Sequence, residues 1–348
     1  MKILIVGLGS IGQRHLRNLR RSFGNKIDIS AYRAVGRNLK ISDNMTSEAD
    51  IDLESDYNIK TYTDYDLALK DGPDAVIICN PTRLHVPVAL KAAINGVNLF
   101  FEKPVSDSPA EIGKLSRIVK EKGLITFVGF QLRFNPCLKL IKDLLLKNRI
   151  GQVVTAYSEF GEYLPAAHPY EDYRNGYAAR KDLGGGALLS LIHELDYLQW
   201  LFGMPNRVFA IGGKISALEM DADDSDSILM EHYISGRKVP VYVHLDFIQR
   251  PPSRKCVITG EQGKIIWDYY SSTVELRLAD GGNEIFCFDN FNRNDMFKEE
   301  MEYFINCLSR SQKAEIDLEE GLKSLRIVFG ARQSIETGEV VKVQDLVI

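Results

Sequence analysis

The chain opens on a short apolar run, Lys2-Ile3-Leu4-Ile5-Val6, that passes directly into Gly7-Leu8-Gly9-Ser10-Ile11-Gly12. No other stretch constrains the fold as strongly. A β-branched run, a tight glycine turn and the amphipathic segment Gly12–Arg21 together read as the first half of a βαβ unit. The first glycine allows the turn, the second lets backbone approach a pyrophosphate, and the third lets the helix pack on the strand. Free N–H groups at the helix start, with the positive end of its dipole, then attract the anion. Gly7, Gly9, Ser10, Ile11 and Gly12 are therefore expected to bind a dinucleotide; the alternative is a glycine-rich turn without ligand. The same run resembles the start of a signal peptide. No small-residue cleavage site follows it, so the strand reading is preferred and a cytoplasmic protein is expected.

Beyond this unit the pattern repeats. Ile27–Tyr32, Ala75–Cys79, Leu99–Glu102 and Thr126–Val128 read as strands, separated by helical stretches over Thr63–Leu69, Val86–Ala93 and Pro109–Lys122. Short apolar strands with helical crossovers mean a parallel sheet buried on both faces. A length of 348 residues gives a prior of two domains, and the character changes near Phe130. A helix over Pro136–Leu146, a strand over Gln152–Glu159, a polar-aromatic loop and an apolar helix over Gly185–Phe202 follow. Arg207–Phe288 is mostly strands with turns between them, and Asp295–Cys307 and Leu318–Thr337 read as closing helices. The expected fold is α/β: a Rossmann doubly wound domain over 1–130, then an α+β domain over 131–348 with an open, mostly antiparallel sheet that binds substrate and mediates oligomerisation.

Composition narrows the partners. Lys+Arg 43 against Asp+Glu 47 gives a net charge of -4, with no electrostatic attraction for nucleic acid or an anionic membrane. No apolar run approaches the ~20 residues that span a bilayer. Five cysteines without a CxxC pair argue against a disulfide framework and for a reducing compartment. The histidines are scattered without HExxH or Cys/His spacing, so no metal site is expected.

The tip of the second strand bears on which dinucleotide binds. A carboxylate there would hold the ribose hydroxyls of NAD. The segment reads Ser30-Ala31-Tyr32-Arg33, with Arg37 nearby, and Asp28 falls too early to reach the tip. Arg33 and Arg37 would favour a 2′-phosphate, so NADP(H) is expected over NAD(H); the alternative is two solvated loop cations.

Two further signatures lie downstream. Glu102-Lys103-Pro104 ends a parallel strand, on the sheet edge where open α/β sheets hold ligands; Pro104 keeps Lys103 extended. Asn80, Pro81, Thr82 and His85 follow another strand on that edge and are assigned, with Glu102 and Lys103, to the cofactor side. Farther on, Gly184-Gly185-Gly186 leads into an apolar helix. At 100° per residue Ser190, His193, Glu194 and Tyr197 form one polar stripe opposite Leu188, Leu191, Ile192, Leu195 and Leu198. A buried polar stripe needs partners, and a substrate pocket supplies them.

In this order and spacing, the glycine loop, Glu102-Lys103-Pro104 and the glycine-led helix ending in His193-x-x-Asp196 resemble the Gfo/Idh/MocA oxidoreductases. The resemblance covers nearly the whole chain. It implies hydride transfer between NAD(P) and a sugar or cyclitol, often in a homo-oligomer, here a dimer or tetramer. His193 is the expected general base or acid and Lys103 the group that stabilises the reacting oxygen. Many members carry an Asp four residues before this His; Leu189 stands there, and Ser190 stands three before. Glu194 and Asp196 are the substitutes, and the sequence does not choose between them.

Tyr163, His168, Tyr173, Arg174 and Arg180 mix sugar-stacking rings with cations, which suits an anionic sugar such as a nucleotide sugar, a sugar acid or a nonulosonic-acid precursor. The bland alternative is a solvated loop or a subunit contact. Gln131, Arg133, Ser190, Glu194 and Asp196 complete the expected substrate set. Two other functions stay open: a non-catalytic NADP-binding sensor on the same fold, and a dehydrogenase of a non-sugar substrate such as a tetrapyrrole or dihydrodiol.

Overall fold

A computed structural model describes residues 1–34 and 38–347, so Arg37 lies outside the described residues. The N-terminal half is built on six parallel strands: β1 (Lys2–Val6), β2 (Asp28–Tyr32), β3 (Lys60–Tyr62), β4 (Ala75–Ile78), β5 (Asn98–Phe101) and β6 (Thr126–Val128). Their order across the sheet is β3-β2-β1-β4-β5-β6. Ile3, Leu4, Ile5, Ala75–Ile78, Leu99, Phe100 and Phe101 are all buried, as continuous apolar strands covered on both faces must be. The strand order reverses between β1 and β4, and open α/β sheets bind their ligands at such a switch point. The sequence reading had missed β3. Lys60-Thr61-Tyr62 is a short, partly exposed edge strand with no periodicity to mark it.

The C-terminal half carries a nine-stranded sheet. Across it run Asn283–Cys287, Thr273–Leu278, Gly263–Asp268, Ile248–Gly260, Val153–Tyr163, Arg237–Asp246, Ser225–Ile234, Arg207–Gly213 and Val341–Lys342. All neighbours are antiparallel except Val153–Tyr163 and Arg237–Asp246, which pair in parallel. Alternation decides its two faces: Ser225–Ile234 buries Ile228 and Met230 and exposes Leu229 and Tyr233. The buried side is covered by helices, among them Leu318–Thr337, whose Gly330 lies against Val208.

Two C-terminal helices reach back to the first sheet. Arg293–Arg310 docks on α1 (Ser10–Phe23) through Asn294, whose Oδ1 accepts from Arg14 Nη1 at 3.0 Å and whose Nδ2 donates to Asn18 Oδ1 at 2.8 Å. At the β6 edge the Val128 N–H donates to the Ile316 carbonyl at 2.8 Å. Thr126 Oγ1 accepts from the Leu318 N–H at 2.9 Å, satisfying a donor of the last long helix.

One expected element differs. The single helix over Gly185–Phe202 is two, Ala187–Ser190 and His193–Phe202, with Leu191 and Ile192 between them. A continuous helix would offer the Ser190 carbonyl to the N–H of Glu194; here it accepts the Lys103 ammonium at 2.6 Å. Among the described residues all five cysteines are free, and no helix is long and apolar enough to cross a membrane.

Candidate active site

The glycine loop is shaped by contact. Gly7 has φ +92°, and a Cβ on Gly12 would sit 2.0 Å from the Gly7 carbonyl oxygen. A Cβ on Gly9 would meet nothing within 4 Å, so its backbone faces open space. Behind it, α1 starts at Ser10 and Ile11 with no side-chain cap and no acidic residue in its first turn. Free donors, a positive helix end and an open approach are what a pyrophosphate needs, and these residues fit one. Arg33 follows β2 on the same sheet edge, its N–H donating to the Tyr62 carbonyl at 2.9 Å, whereas Asp28 begins β2 at the opposite edge.

Beside this loop, past β4, Asn80-Pro81-Thr82 leads into the helix His85–Ile94. The buried His85 ring ties this loop to the lysine segment, with Nδ1 and Nε2 each 2.8 Å from a carbonyl oxygen, that of Pro104 and that of Asn80. Asn80 Oδ1 is buried without a partner. Thr82 packs toward Gly184, where a Cβ would lie 3.0 Å from Thr82 Cβ. The other two glycines of the triplet are equally constrained: a Cβ would stand 2.2 Å from the Tyr177 carbonyl at Gly185 and 2.1 Å from Asp223 Oδ1 at Gly186. The triplet is therefore a close-approach device: Gly184 meets the N-terminal half at Thr82, Arg83 and Asp107, while Gly185 and Gly186 pack within the C-terminal half.

Lys103 and Ser190 meet at this junction, and the gap between the two helical segments turns the Ser190 carbonyl toward the ammonium. Burial lowers the Lys103 pKa, and Arg254 lowers it further against the raising effect of Glu102, Glu162 and Glu194. His193, one turn on, is 4% exposed. Burial first, then the charges of Lys103, Arg254 and Arg293, hold it well below the ordinary histidine range, so the ring is neutral. Its Nε2 lies 3.1 Å from the Gln131 amide nitrogen. His193 Nδ1 and Gln131 Oε1 are buried without partners. Orphaned buried polar atoms at one place mark a surface built to meet a polar ligand.

The rest of the expected stripe is engaged elsewhere. Both Glu194 oxygens accept from Arg254, at 2.7 and 2.9 Å, and Tyr197 Oη is 2.5 Å from Ser158 Oγ. Asp196 accepts from Arg133 at 2.9 and 2.7 Å and from Ser324 at 2.8 Å. Arg133 also donates to Glu320 at 3.0 Å, so its guanidinium is consumed in a buried network. Glu194 and Asp196 thus each face an arginine, and His193 has Gln131 as its hydrogen-bonding neighbour.

In the long loop, Arg174 pairs with Asp172 and Glu219, and Arg180 with Asp182. The Tyr173 hydroxyl accepts from the Glu219 N–H at 3.0 Å. The Arg250 guanidinium lies 4.1 Å from the Tyr163 ring centroid, and His168 stacks on Tyr170. The loop's cations are thus largely balanced by its own carboxylates. Sequence reasoning passed over Arg254, a buried arginine in a strand, stacked 4.3 Å from the Phe160 centroid and facing the Lys103–His193 pair. Alternation along Ile248–Gly260 marks its inward side, but nothing local distinguishes it from the other basic residues there. Tyr177, part of the polar-aromatic loop, has its hydroxyl pushed up to about 12, mainly by burial.

Residues 1–130 match the oxidoreductase family with an NAD-binding Rossmann fold, and residues 138–266 match the Gfo/Idh/MocA C-terminal domain. The myo-inositol 2-dehydrogenase of Thermotoga maritima is 24% identical over 354 residues, covering 100% of both chains. The 2,7-anhydro-N-acetylneuraminate hydratase of Mediterraneibacter gnavus is 27% identical over 295 residues, 84% of this chain and 73% of that one. Among solved structures, the WlbA dehydrogenase of Bordetella pertussis, in complex with NADH and UDP-GlcNAcA, superposes with a TM-score of 0.78. It is 19% identical and 98% of each chain is covered. With both halves matched in their expected order, the chain belongs to the Gfo/Idh/MocA family of NAD-binding oxidoreductases.

Proposed function

We propose that this protein transfers a hydride between a nicotinamide cofactor and a carbinol or carbonyl carbon of a sugar derivative. The observation that carries the reading is the meeting of the Lys103 ammonium with the broken helix, one turn before a neutral His193 whose Nδ1 has no partner. Gly7, Gly9, Ser10, Ile11 and Gly12 would hold the pyrophosphate, with Asn80, Thr82 and Glu102-Lys103 along the same edge. When bound, the nicotinamide supplies the two-electron acceptor or donor.

The chain's own residues handle the proton and the charge. Lys103 gives one of its three N–H donors to Ser190 and keeps two for the reacting oxygen, where they stabilise developing negative charge. His193 is the proton carrier. Gln131 can present either its N–H or its C=O to Nε2, which matches both ring tautomers. With the C=O facing Nε2–H, the bare Nδ1 takes a hydroxyl proton; with the N–H donating, Nδ1–H gives one to a carbonyl. Glu194 is read as neutralising Arg254, leaving no carboxylate to charge His193.

An anionic substrate is the finer part of the reading. The Mediterraneibacter relative acts on a neuraminate and the Bordetella structure holds a UDP-sugar acid; these two support the reading, while Arg174, Arg180 and Arg254 are each paired with a carboxylate of the chain. NADP(H) is preferred because the tip of β2 carries Arg33 and no carboxylate. Ile211, Leu229 and Tyr233 on the uncovered sheet face support a homo-oligomer, checked by the solution mass.

The test is a screen of nucleotide sugars, sugar acids, neutral hexoses and inositols with NADPH and NADH. Lys103→Ala and His193→Ala should each lower kcat by about 10²–10⁴-fold on the best substrate. Near-wild-type kcat in both variants would remove the assignment. Cofactor binding without turnover on any substrate would favour the sensor.

A further inference from the structure

Behind Lys103 lies a polar cluster of which the hydride-transfer reading uses Glu102 alone. His15 stands on α1 just past the glycine loop, Glu102 directly follows β5, and Glu300 comes from the docked helix Arg293–Arg310. Their nearest nitrogen and oxygen atoms all fall within 4.8 Å of one another. His15 Nε2 is 2.6 Å from Glu102 Oε1, and Glu102 Oε2 accepts the Lys103 N–H at 3.3 Å. Glu300 is 0% exposed, and neither of its oxygens has a hydrogen-bond partner.

The surroundings are apolar. The His15 ring packs edge-on to Phe100 and Phe297. The titratable groups facing Glu300 are His15 from α1, Glu102 from the end of β5 and Cys79 from the end of β4. Among the described residues no lysine or arginine bonds to it.

This is the one group among the described residues with the makeup of a metal site. Ligand atoms bound to one ion at 2.0–2.2 Å stand roughly 3 Å or more apart; the 2.6 Å His15–Glu102 contact is instead a hydrogen bond. Two carboxylates this close in an apolar interior repel, and one keeps its proton. Glu102 has an imidazole and a backbone N–H to support a charge, whereas Glu300 has nothing. Burial first, then the Glu102 charge, pushes the Glu300 carboxyl well above its ordinary range.

We propose that Glu300 is a positioning residue held as a neutral carboxylic acid, packed beside the His15–Glu102 pair so that a single negative charge stands behind the Lys103 backbone. The inference rests on Lys103 acting as described above. One charge supports the ammonium against its burial. A second would raise its proton affinity and shift the alkaline limb of the pH–rate profile upward.

Infrared difference spectra of wild type against Glu300→Gln, without substrate, provide the direct test. The wild type should show the carbonyl band of a protonated carboxylic acid at pH 7, lost in the variant. In kinetics, Glu300→Gln, an uncharged isostere, should keep kcat within about twofold and leave the alkaline limb in place, whereas Glu300→Ala should lower kcat about tenfold or more. Should Glu300→Gln not fold, the band is sought in Asp226→Asn, which removes a second buried carboxyl, one that burial and the Asp223 charge push up to about 9. Absence of the band, a downward shift of the limb in Glu300→Gln, or a stoichiometric divalent ion in purified wild type that Glu300→Gln lacks would each overturn the proposal. A band present while Lys103→Ala keeps full activity would leave the protonation state standing and remove its link to catalysis.

Discussion

Lys103 and His193 are tuned by the same two factors, burial and neighbouring cations. For the lysine these ease loss of a proton, and for the histidine they oppose gain of one. The kcat/KM profile should therefore have its acid limb well under the ordinary histidine value of about 6.5 and its alkaline limb under the ordinary lysine value of about 10.5. An acid limb above the ordinary histidine value would contradict this. The sign for stability follows from the same shift. His193 binds its proton less readily folded than unfolded, so its contribution is intact above the ordinary value and is lost as pH falls below it. A second prediction concerns Gly9, whose Cβ would meet no protein atom. Gly9→Ala should leave Tm nearly unchanged yet weaken cofactor binding about tenfold, or ~1.4 kcal/mol, by occupying the approach to the backbone. Equal cofactor affinity by titration would mean that the open face is not the contact.

Among the elements, the glycine-led broken helix is the most constrained. Gly186 has φ +107° and its Cβ would lie 2.1 Å from Asp223 Oδ1, so Gly186→Ala should cost about 2 kcal/mol or more in denaturant melts. Asp223 itself caps this segment, accepting the Leu188 N–H at 2.9 Å. Beside it, burial and then the Asp223 charge push the Asp226 carboxyl up to about 9. A raised carboxyl pKa gives stability that is whole below the unfolded value near 4 and is lost as pH climbs through 9. Asp226→Asn should accordingly stabilise the protein at neutral and alkaline pH and flatten the fall of Tm with rising pH; a variant less stable at pH 8 would refute it. Legibility varied at this scale. β1, the glycine loop, β6 and Leu318–Thr337 could be read because apolar runs and capping residues act locally. The gap at Leu191–Ile192 could not, since the Ser190 carbonyl before it is met by a lysine 87 positions upstream of that serine. Glu194 and Asp196 looked like candidates for the site because periodicity shows which face a residue takes, not that arginines at 254 and 133 await them.

On the scale of the whole molecule, the two sheets are joined by polar networks as well as by chain order. Arg133 holds Asp196 and Glu320 in the interior, and removing one partner of such a pair leaves a buried charge exposed to no compensation. Arg133→Met should cost about 3–5 kcal/mol by urea unfolding; a loss below 1 kcal/mol would show the network to be dispensable. Truncation before Arg293 should likewise uncover the α1 surface that Asn294 and Phe297 protect, giving an insoluble product. The rung from Val128 to Ile316 has a temporal consequence. The outermost strand of the nucleotide-binding sheet finds its final backbone partner in a residue that leaves the ribosome almost two hundred positions later. During synthesis that margin stays unsealed until nearly all of the polypeptide has emerged, so maturation of the amino-terminal half awaits the carboxy-terminal one.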